Sequence, residues 1–195
     1  MAINLQKGQR VSLDKRMRLA LVGLGWDPNE YDSDFDFDLD ASAFLLGANG
    51  KVRSDDDFVF YGNQCHYSNA VFSSGDDTSG GSSDGDDEKI IINFDKIPAY
   101  VEKIAITVTI YDAAKRRQNF GMVQNAYVRV CKIDSEDDEY GEEVIRFDLG
   151  EDFSIETALV VCEIYRYGNE WKFNAVGAGY QGGLEALCHR FGINV

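Results

Sequence analysis

The chain has 195 residues, 44% of them hydrophobic, which suits one sizeable core better than two. Nineteen Lys and Arg stand against 34 Asp and Glu, and the resulting charge of −15 argues against nucleic acid or anionic membranes as partners and favours cations or basic proteins. The opening Met1-Ala2-Ile3-Asn4-Leu5-Gln6-Lys7-Gly8 has no apolar signal core, and no apolar run reaches the ~18 residues of a membrane span, so a single cytoplasmic domain over 1–195 is expected.

The first predicted strand covers 35–46, and its entry is the most unusual stretch of the chain. Asp34-Phe35-Asp36-Phe37-Asp38-Leu39-Asp40 alternates strictly, so an extended chain would put four carboxylates on one face and Phe35, Phe37 and Leu39 on the other. Same-face neighbours on a strand lie about 6.5 to 7 Å apart and Asp is disfavoured there, so this row calls for a counter-charge that the segment lacks. A strand over 57–61 follows. Residues 73–87 are rich in Gly, Ser and Asp and read either as a low-complexity linker or as an ordered acidic loop between strands.

Strands are then predicted over 90–95 and 101–111, a short helix over 112–120, and strands over 126–133, 144–149, 158–167 and 170–176. Between two of these, Asp134 to Glu143 forms a second acidic run, expected as a solvated hairpin loop. Over 183–191 Leu184, Leu187, Cys188 and Phe191 share one helical face ahead of Gly192, a helix-stopping residue. Many short strands with little helix between them indicate a mainly β fold, an antiparallel β-sandwich with short peripheral helices, one of them at the C-terminus.

Cys65, Cys131, Cys162 and Cys188 are far apart, show no paired spacing, and fall largely in apolar runs, which fits reduced core thiols. His66 and His189 stand without readable catalytic partners and are expected to be structural or exposed, which leaves zinc poorly supported. Gly177-Ala178-Gly179-Tyr180-Gln181-Gly182 matches a dinucleotide fingerprint literally. The chain ends before the further strand and acidic residue that such a unit needs, so the glycines are read as a tight strand-to-helix turn.

The acidic loops offer what calcium takes, six to eight oxygens from carboxylates, carbonyls and water, and Gly75, Gly80, Gly81 and Gly85 allow sharp turns that let such groups converge. Magnesium prefers fewer carboxylates and retained waters. An EF-hand starting at Asp32 fails, because its sixth position is Phe37 and its twelfth is Ala43. From charge pattern alone, a composite calcium site and a merely solvated acidic surface both remain open.

The motifs Gly75-Asp76-Asp77 and Asp84-Gly85-Asp86-Asp87-Glu88, with Asp36-Phe37-Asp38-Leu39-Asp40-Ala41 upstream, resemble the TerD family of tellurite-resistance and general-stress proteins. The resemblance runs on through Tyr111-Asp112-Ala113, Gln118-Asn119-Phe120-Gly121, Glu170-Trp171-Lys172-Phe173 and Gly179-Tyr180-Gln181-Gly182-Gly183-Leu184. It implies a β-sandwich that binds Ca2+ through acidic loops in stress, tellurite and phage resistance, with Asp36, Asp38, Asp76, Asp77, Asp84, Asp86, Asp87 and Glu88 as metal ligands. The loop departs from the family pattern over Thr78-Ser79-Gly80-Gly81-Ser82-Ser83, where an Arg and a Glu are missing, and Asp77 stands where Asn is usual. A non-enzymatic calcium module, in which the ion orders the loops into a surface for other proteins of the same system, is the first expectation. The alternatives are a metal-dependent phosphoester hydrolase and an acidic interaction protein that needs no metal.

Overall fold

The computed structural model describes residues 2–28, 36–73, 85–138, 140–149 and 153–195. Within them the strands, in chain order, are β1 (Ile3–Leu5), β2 (Arg10–Ser12), β3 (Leu19–Gly25), β4 (Leu39–Leu46), β5 (Phe58–Val59), β6 (Val71–Ser73), β7 (Glu88–Asn93), β8 (Lys103–Ile110), β9 (Tyr127–Lys132), β10 (Glu142–Asp148), β11 (Ala158–Tyr167) and β12 (Glu170–Tyr180). Two short helices accompany them, α1 (Ala113–Arg116) and α2 (Gly183–Phe191).

The strands form two six-stranded sheets, ordered β1-β10-β9-β3-β7-β6 and β2-β12-β11-β8-β4-β5. All pairings are antiparallel except β1 with β10. The expected sandwich is therefore the observed fold.

The period-two rule explains what lies between the sheets. Leu39, Ala41, Ala43 and Leu45 of β4, Ile104, Ile106 and Val108 of β8, and Ala20, Val22 and Leu24 of β3 all enter one inter-sheet core. The opposite face of the second sheet is not left to solvent. There Phe44, Leu46, Ala105, Ala158 and Val160 are covered by Leu187, Cys188 and Phe191 of α2. On the same outer face Ser42 and Thr107 are buried, and their hydroxyls pair at 2.7 Å.

Several expectations need correction. The alternating acidic row does not continue as strand: residues 36–38 carry no strand assignment and β4 begins only at Leu39, while Asp34 and Phe35 lie outside the described residues. The alternation of burial survives, with Phe37 and Leu39 buried, because the core contacts need the apolar side inward even where Asp is unsuited to a ladder. The helix expected over 112–120 is a single turn, α1, flanked by Asp112 and Arg117 in left-handed conformation, with a 3-10 turn at Phe120–Met122.

Four strands have no counterpart in the sequence prediction: β1, β2, β3 and β6. Three of them are only three residues long, whereas β3 is a continuous buried run. The second acidic run does form a hairpin connection between β9 and β10, and the glycine-rich segment does lead from β12 into α2. Among the described residues, no helix is long and apolar enough to cross a membrane.

Candidate metal centre

At one end of the sandwich the segment after β8 contacts both the stretch before β4 and the stretch after β3. Arg116 of α1 donates to Asp38 at 3.0 Å, and Gln118 donates its side-chain N–H to the carbonyl of Asp36 at 3.1 Å. The same segment reaches the end of β3, where the Asp27 N–H donates to the carbonyl of Gln124 at 3.0 Å. Next to it, the Trp26 N–H donates to Asp87 Oδ2 at 2.9 Å. Residues 36–38 and 86–88, separated by half a hundred positions in the chain, therefore flank the same end of the fold.

Asp86 and Asp87 are directed differently, as successive residues on an extended chain must be. Asp87 extends the ladder of β7, its N–H donating to the carbonyl of Leu24 at 2.8 Å, and its carboxylate faces the Trp26 backbone. Asp86 instead lies over the outer face of the first sheet. Arg129 Nε donates to Asp86 Oδ1 at 2.8 Å and Nη2 to Oδ2 at 2.8 Å, a bidentate pair, and Tyr127 Oη donates to Oδ1 at 3.0 Å. Its side chain is fully buried and that of Arg129 is 18% exposed.

The strand that the sequence prediction missed makes room for this pair. Gly23 and Gly25 of β3 stand directly opposite Arg129 and Tyr127 in the β3–β9 register. A Cβ at Gly23 would overlap the Asp86 carboxylate, and one at Gly25 would overlap the Tyr127 ring. Glycines at alternate positions of an apolar run, as in Leu21-Val22-Gly23-Leu24-Gly25, are the sequence signal of a close approach from another segment.

Electrostatics follow the geometry. Burial alone would lower the Arg129 pKa, but the Asp86 bonds reverse this and hold it above its ordinary value. Burial, and next the Asp86 charge, raise the Tyr127 phenol. Arg146 stacks over the Tyr127 ring at 3.9 Å, and Glu143 reaches Arg129 at 3.4 Å, so the outer face carries a small ionic network.

Of the eight carboxylates singled out in the sequence, Asp36, Asp38, Asp86, Asp87 and Glu88 are placed as above or lie at the start of β7, with Asp36 exposed and Glu88 buried. Asp76, Asp77 and Asp84 lie outside the described residues. Among the described residues no group of three or more His, Cys, Asp or Glu is placed to hold a metal ion.

A second polar cluster lay beyond sequence reasoning. The carboxylate of Asp57, fully buried beside β5, accepts from Nε2 of the fully buried His66 at 3.2 Å, from the Arg53 N–H at 2.8 Å and from the Tyr100 hydroxyl. His66 Nδ1 accepts from the Ser68 N–H at 3.2 Å, which leaves the proton on Nε2 and directs it to Asp57. This histidine is structural, as expected, whereas His189 on α2 is exposed. Cys131, Cys162 and Cys188 are buried; Cys65, in contrast, is exposed.

The fold and this pole define a β-sandwich with carboxylates from separate segments brought to one end. A model of the TerD domain matches residues 1–191, and the chain belongs to that family. It is 50% identical over 197 residues to tellurium resistance protein TerD of Serratia marcescens, covering 100% of this chain and 99% of that one. It is 48% identical over 199 residues to general stress protein 16U of Bacillus subtilis (strain 168), with complete coverage of both. Among solved structures, a homologue of telluride resistance protein from Streptomyces coelicolor A3(2) superposes with a TM-score of 0.69 at 19% identity, covering 88% of this chain and 95% of that one, which shows the shared fold.

Proposed function

We propose that this protein is a non-enzymatic, calcium-binding stress-response module, acting in the cytoplasm in resistance to tellurite and other chemical stress, in which the ion orders the acidic loops into a surface for protein partners. The relatives named for tellurium resistance and general stress support the context. The observation that supports the metal reading is that one segment, 116–124, contacts Asp36 and Asp38 through Arg116 and Gln118 and, through Gln124, the Trp26–Asp27 stretch to which Asp87 is bonded.

The donor set suits a hard cation, since carboxylates and carbonyl oxygens are what calcium takes. Asp36, Asp38 and Asp87, with Glu88 at the start of β7 and with Asp76, Asp77 and Asp84, are the residues proposed to hold it. Asp86 does not fit as a ligand, because Arg129 and Tyr127 already engage both its oxygens; its proposed role is to fix the root of the loop. Bound calcium would supply the counter-charge that the clustered carboxylates need.

Calorimetric titration of chelator-stripped protein with calcium, with magnesium as competitor and thermal melting in parallel, tests this. Saturable calcium uptake, poor competition by magnesium and a raised melting temperature are expected, since a ligand that binds only the folded state stabilises it. Absence of both heat and stabilisation would overturn the calcium reading in favour of a metal-independent acidic interaction protein.

A further inference from the structure

We infer that Arg116 is an internal competitor of calcium at Asp38: the guanidinium and the ion hold that carboxylate in turn, so that Arg116 sets the calcium affinity of the protein and swings toward the Tyr111 ring when calcium binds. The inference rests on the proposed calcium reading and gives one of its ligands a second state.

Asp38 is both a proposed ligand and the partner of Arg116, whose Nη2 donates to its Oδ2 at 3.0 Å. A divalent ion and a guanidinium on one carboxylate are forced into close range, where their like charges repel and little water screens them. Asp86 meets the same conflict by not serving as a ligand at all, since its side chain is fully buried and gripped by two nitrogens of Arg129. Asp38 is not enclosed in that way. Its side chain keeps 13% exposure and that of Arg116 18%, so an ion can approach the carboxylate and water can follow the departing guanidinium.

The released guanidinium has an adjacent place to rest. The Tyr111 N–H donates to the carbonyl of Asp38 at 2.9 Å, which sets the two residues side by side. Arg116 lies 5.2 Å from the Tyr111 ring centre, whereas Arg53 over Tyr100 and Arg146 over Tyr127 both lie at 3.9 Å. With its tip on Asp38, Arg116 stops short of the full ring contact that other arginines of the same protein make. Turning the side chain away from Asp38 closes that gap and exchanges a carboxylate for an electron-rich face.

The backbone need not follow. α1 is a single turn without a side-chain cap at its start, but Gln118, just beyond it, is buried and donates to the Asp36 carbonyl at 3.1 Å, which keeps the segment docked while Arg116 turns. Because Tyr111 is 45% exposed, calcium occupancy becomes visible at the surface as a guanidinium laid on its ring.

The test is a calorimetric calcium titration of the chelator-stripped full chain as wild type, Arg116→Gln, Arg117→Gln and Tyr111→Leu, with NMR spectra of the arginine Nε–H and tyrosine ring signals before and after saturation. Arg117 is the exposed neighbour, and its variant removes the same charge one residue along. The expected result is calcium binding about tenfold tighter in Arg116→Gln, nearly unchanged in Arg117→Gln and about threefold weaker in Tyr111→Leu. In the wild type, calcium should shift the Arg116 Nε–H and the Tyr111 ring together, and the ring shift should vanish in Arg116→Gln.

If Arg116 merely held Asp38 in place for the ion, Arg116→Gln would bind calcium more weakly, the opposite sign. Weaker or unchanged binding in Arg116→Gln, or equal tightening in Arg116→Gln and Arg117→Gln, overturns the inference and leaves the calcium reading standing. Absence of calcium uptake in all four proteins overturns both. Since Tyr111 lies at the surface, its variant keeps the test valid should Arg116→Gln melt early: unchanged affinity in Tyr111→Leu, with no calcium-dependent shift of the Arg116 Nε–H in the wild type, overturns the inference equally.

Discussion

Asp86 and Arg129 form a buried bidentate pair across the outer face of the first sheet, with Nε to Oδ1 and Nη2 to Oδ2 both at 2.8 Å, in a space that exists because residue 23 has no side chain. This relationship separates two adjacent carboxylates of one acidic motif into different roles. Asp86 is held from the sheet, while Asp87 faces the Trp26 backbone at the pole. Asp86 and Asp87 are thereby tied to β9 as well as to β3.

Breaking that pair from one side leaves a buried charge unmatched. Asp86→Asn or Arg129→Met is expected to lower unfolding free energy by about 3 to 5 kcal/mol, while changing both together costs less than the sum of the two. Gly23→Ala should destabilise as well, because its new methyl group meets the Asp86 carboxylate. Urea denaturation of the three single variants and the double variant measures this; additive losses would show that the two residues do not act as a unit.

The calcium reading makes a different demand on the other carboxylates. Asp76→Asn with Asp77→Asn is expected to weaken calcium affinity about tenfold or more, whereas Asp134→Asn with Asp137→Asn, which removes the same charge from the β9–β10 connection, should leave it nearly unchanged. Equal weakening in the two pairs, read by calorimetry, would point to diffuse electrostatic attraction instead of a site.

How much of this was legible depends on whether a contact is local. The apolar pattern of residues 158–167 returned β11 to the residue, and the leucine face of 183–191 returned α2, since each carries its own period and a stopping glycine. β3 was lost because Leu19-Ala20-Leu21-Val22-Gly23-Leu24-Gly25 is buried on both faces and shows no alternation; its glycines speak of Arg129 and Asp86, more than 60 residues away. β1 and β2 are too short and too exposed to leave a pattern. The acidic motifs marked the pole, but the division of labour between Asp86 and Asp87 comes from packing against another strand, which spacing alone does not contain. The same holds for the Asp57–His66 contact.

Thiol chemistry should be confined to one residue. Burial pushes the Cys131 thiol up to about 11 and raises Cys162 and Cys188 above their ordinary values, so at neutral pH these three are protonated and shielded. An aromatic disulfide reagent at pH 7.5 is expected to label Cys65 alone in the folded protein and all four thiols in denaturant. Rapid labelling of two or more native thiols would contradict the burial described, and Cys65→Ser should abolish the native reaction.

The Asp57–His66 pair predicts how stability responds to acid. Burial would raise the Asp57 carboxyl, but the Tyr100 hydroxyl, the Arg53 N–H, His66 and the Ser54 N–H outweigh it, and its folded pKa lies below 3.8. A depressed folded pKa gives stability that is present above the unfolded value and is lost as pH falls through the folded one. The difference in unfolding free energy between wild type and Asp57→Asn should therefore be constant from pH 7 to about 5 and shrink below pH 4. At neutral pH the variant should lose about 1 to 3 kcal/mol, because the amide cannot replace the charged acceptor for every one of these donors. Urea melts of both proteins at pH 7, 5 and 3 decide the matter. A gap that stays constant down to pH 3 would mean that the Asp57 charge contributes nothing to stability and that its hydrogen bonds serve equally well with the carboxyl protonated.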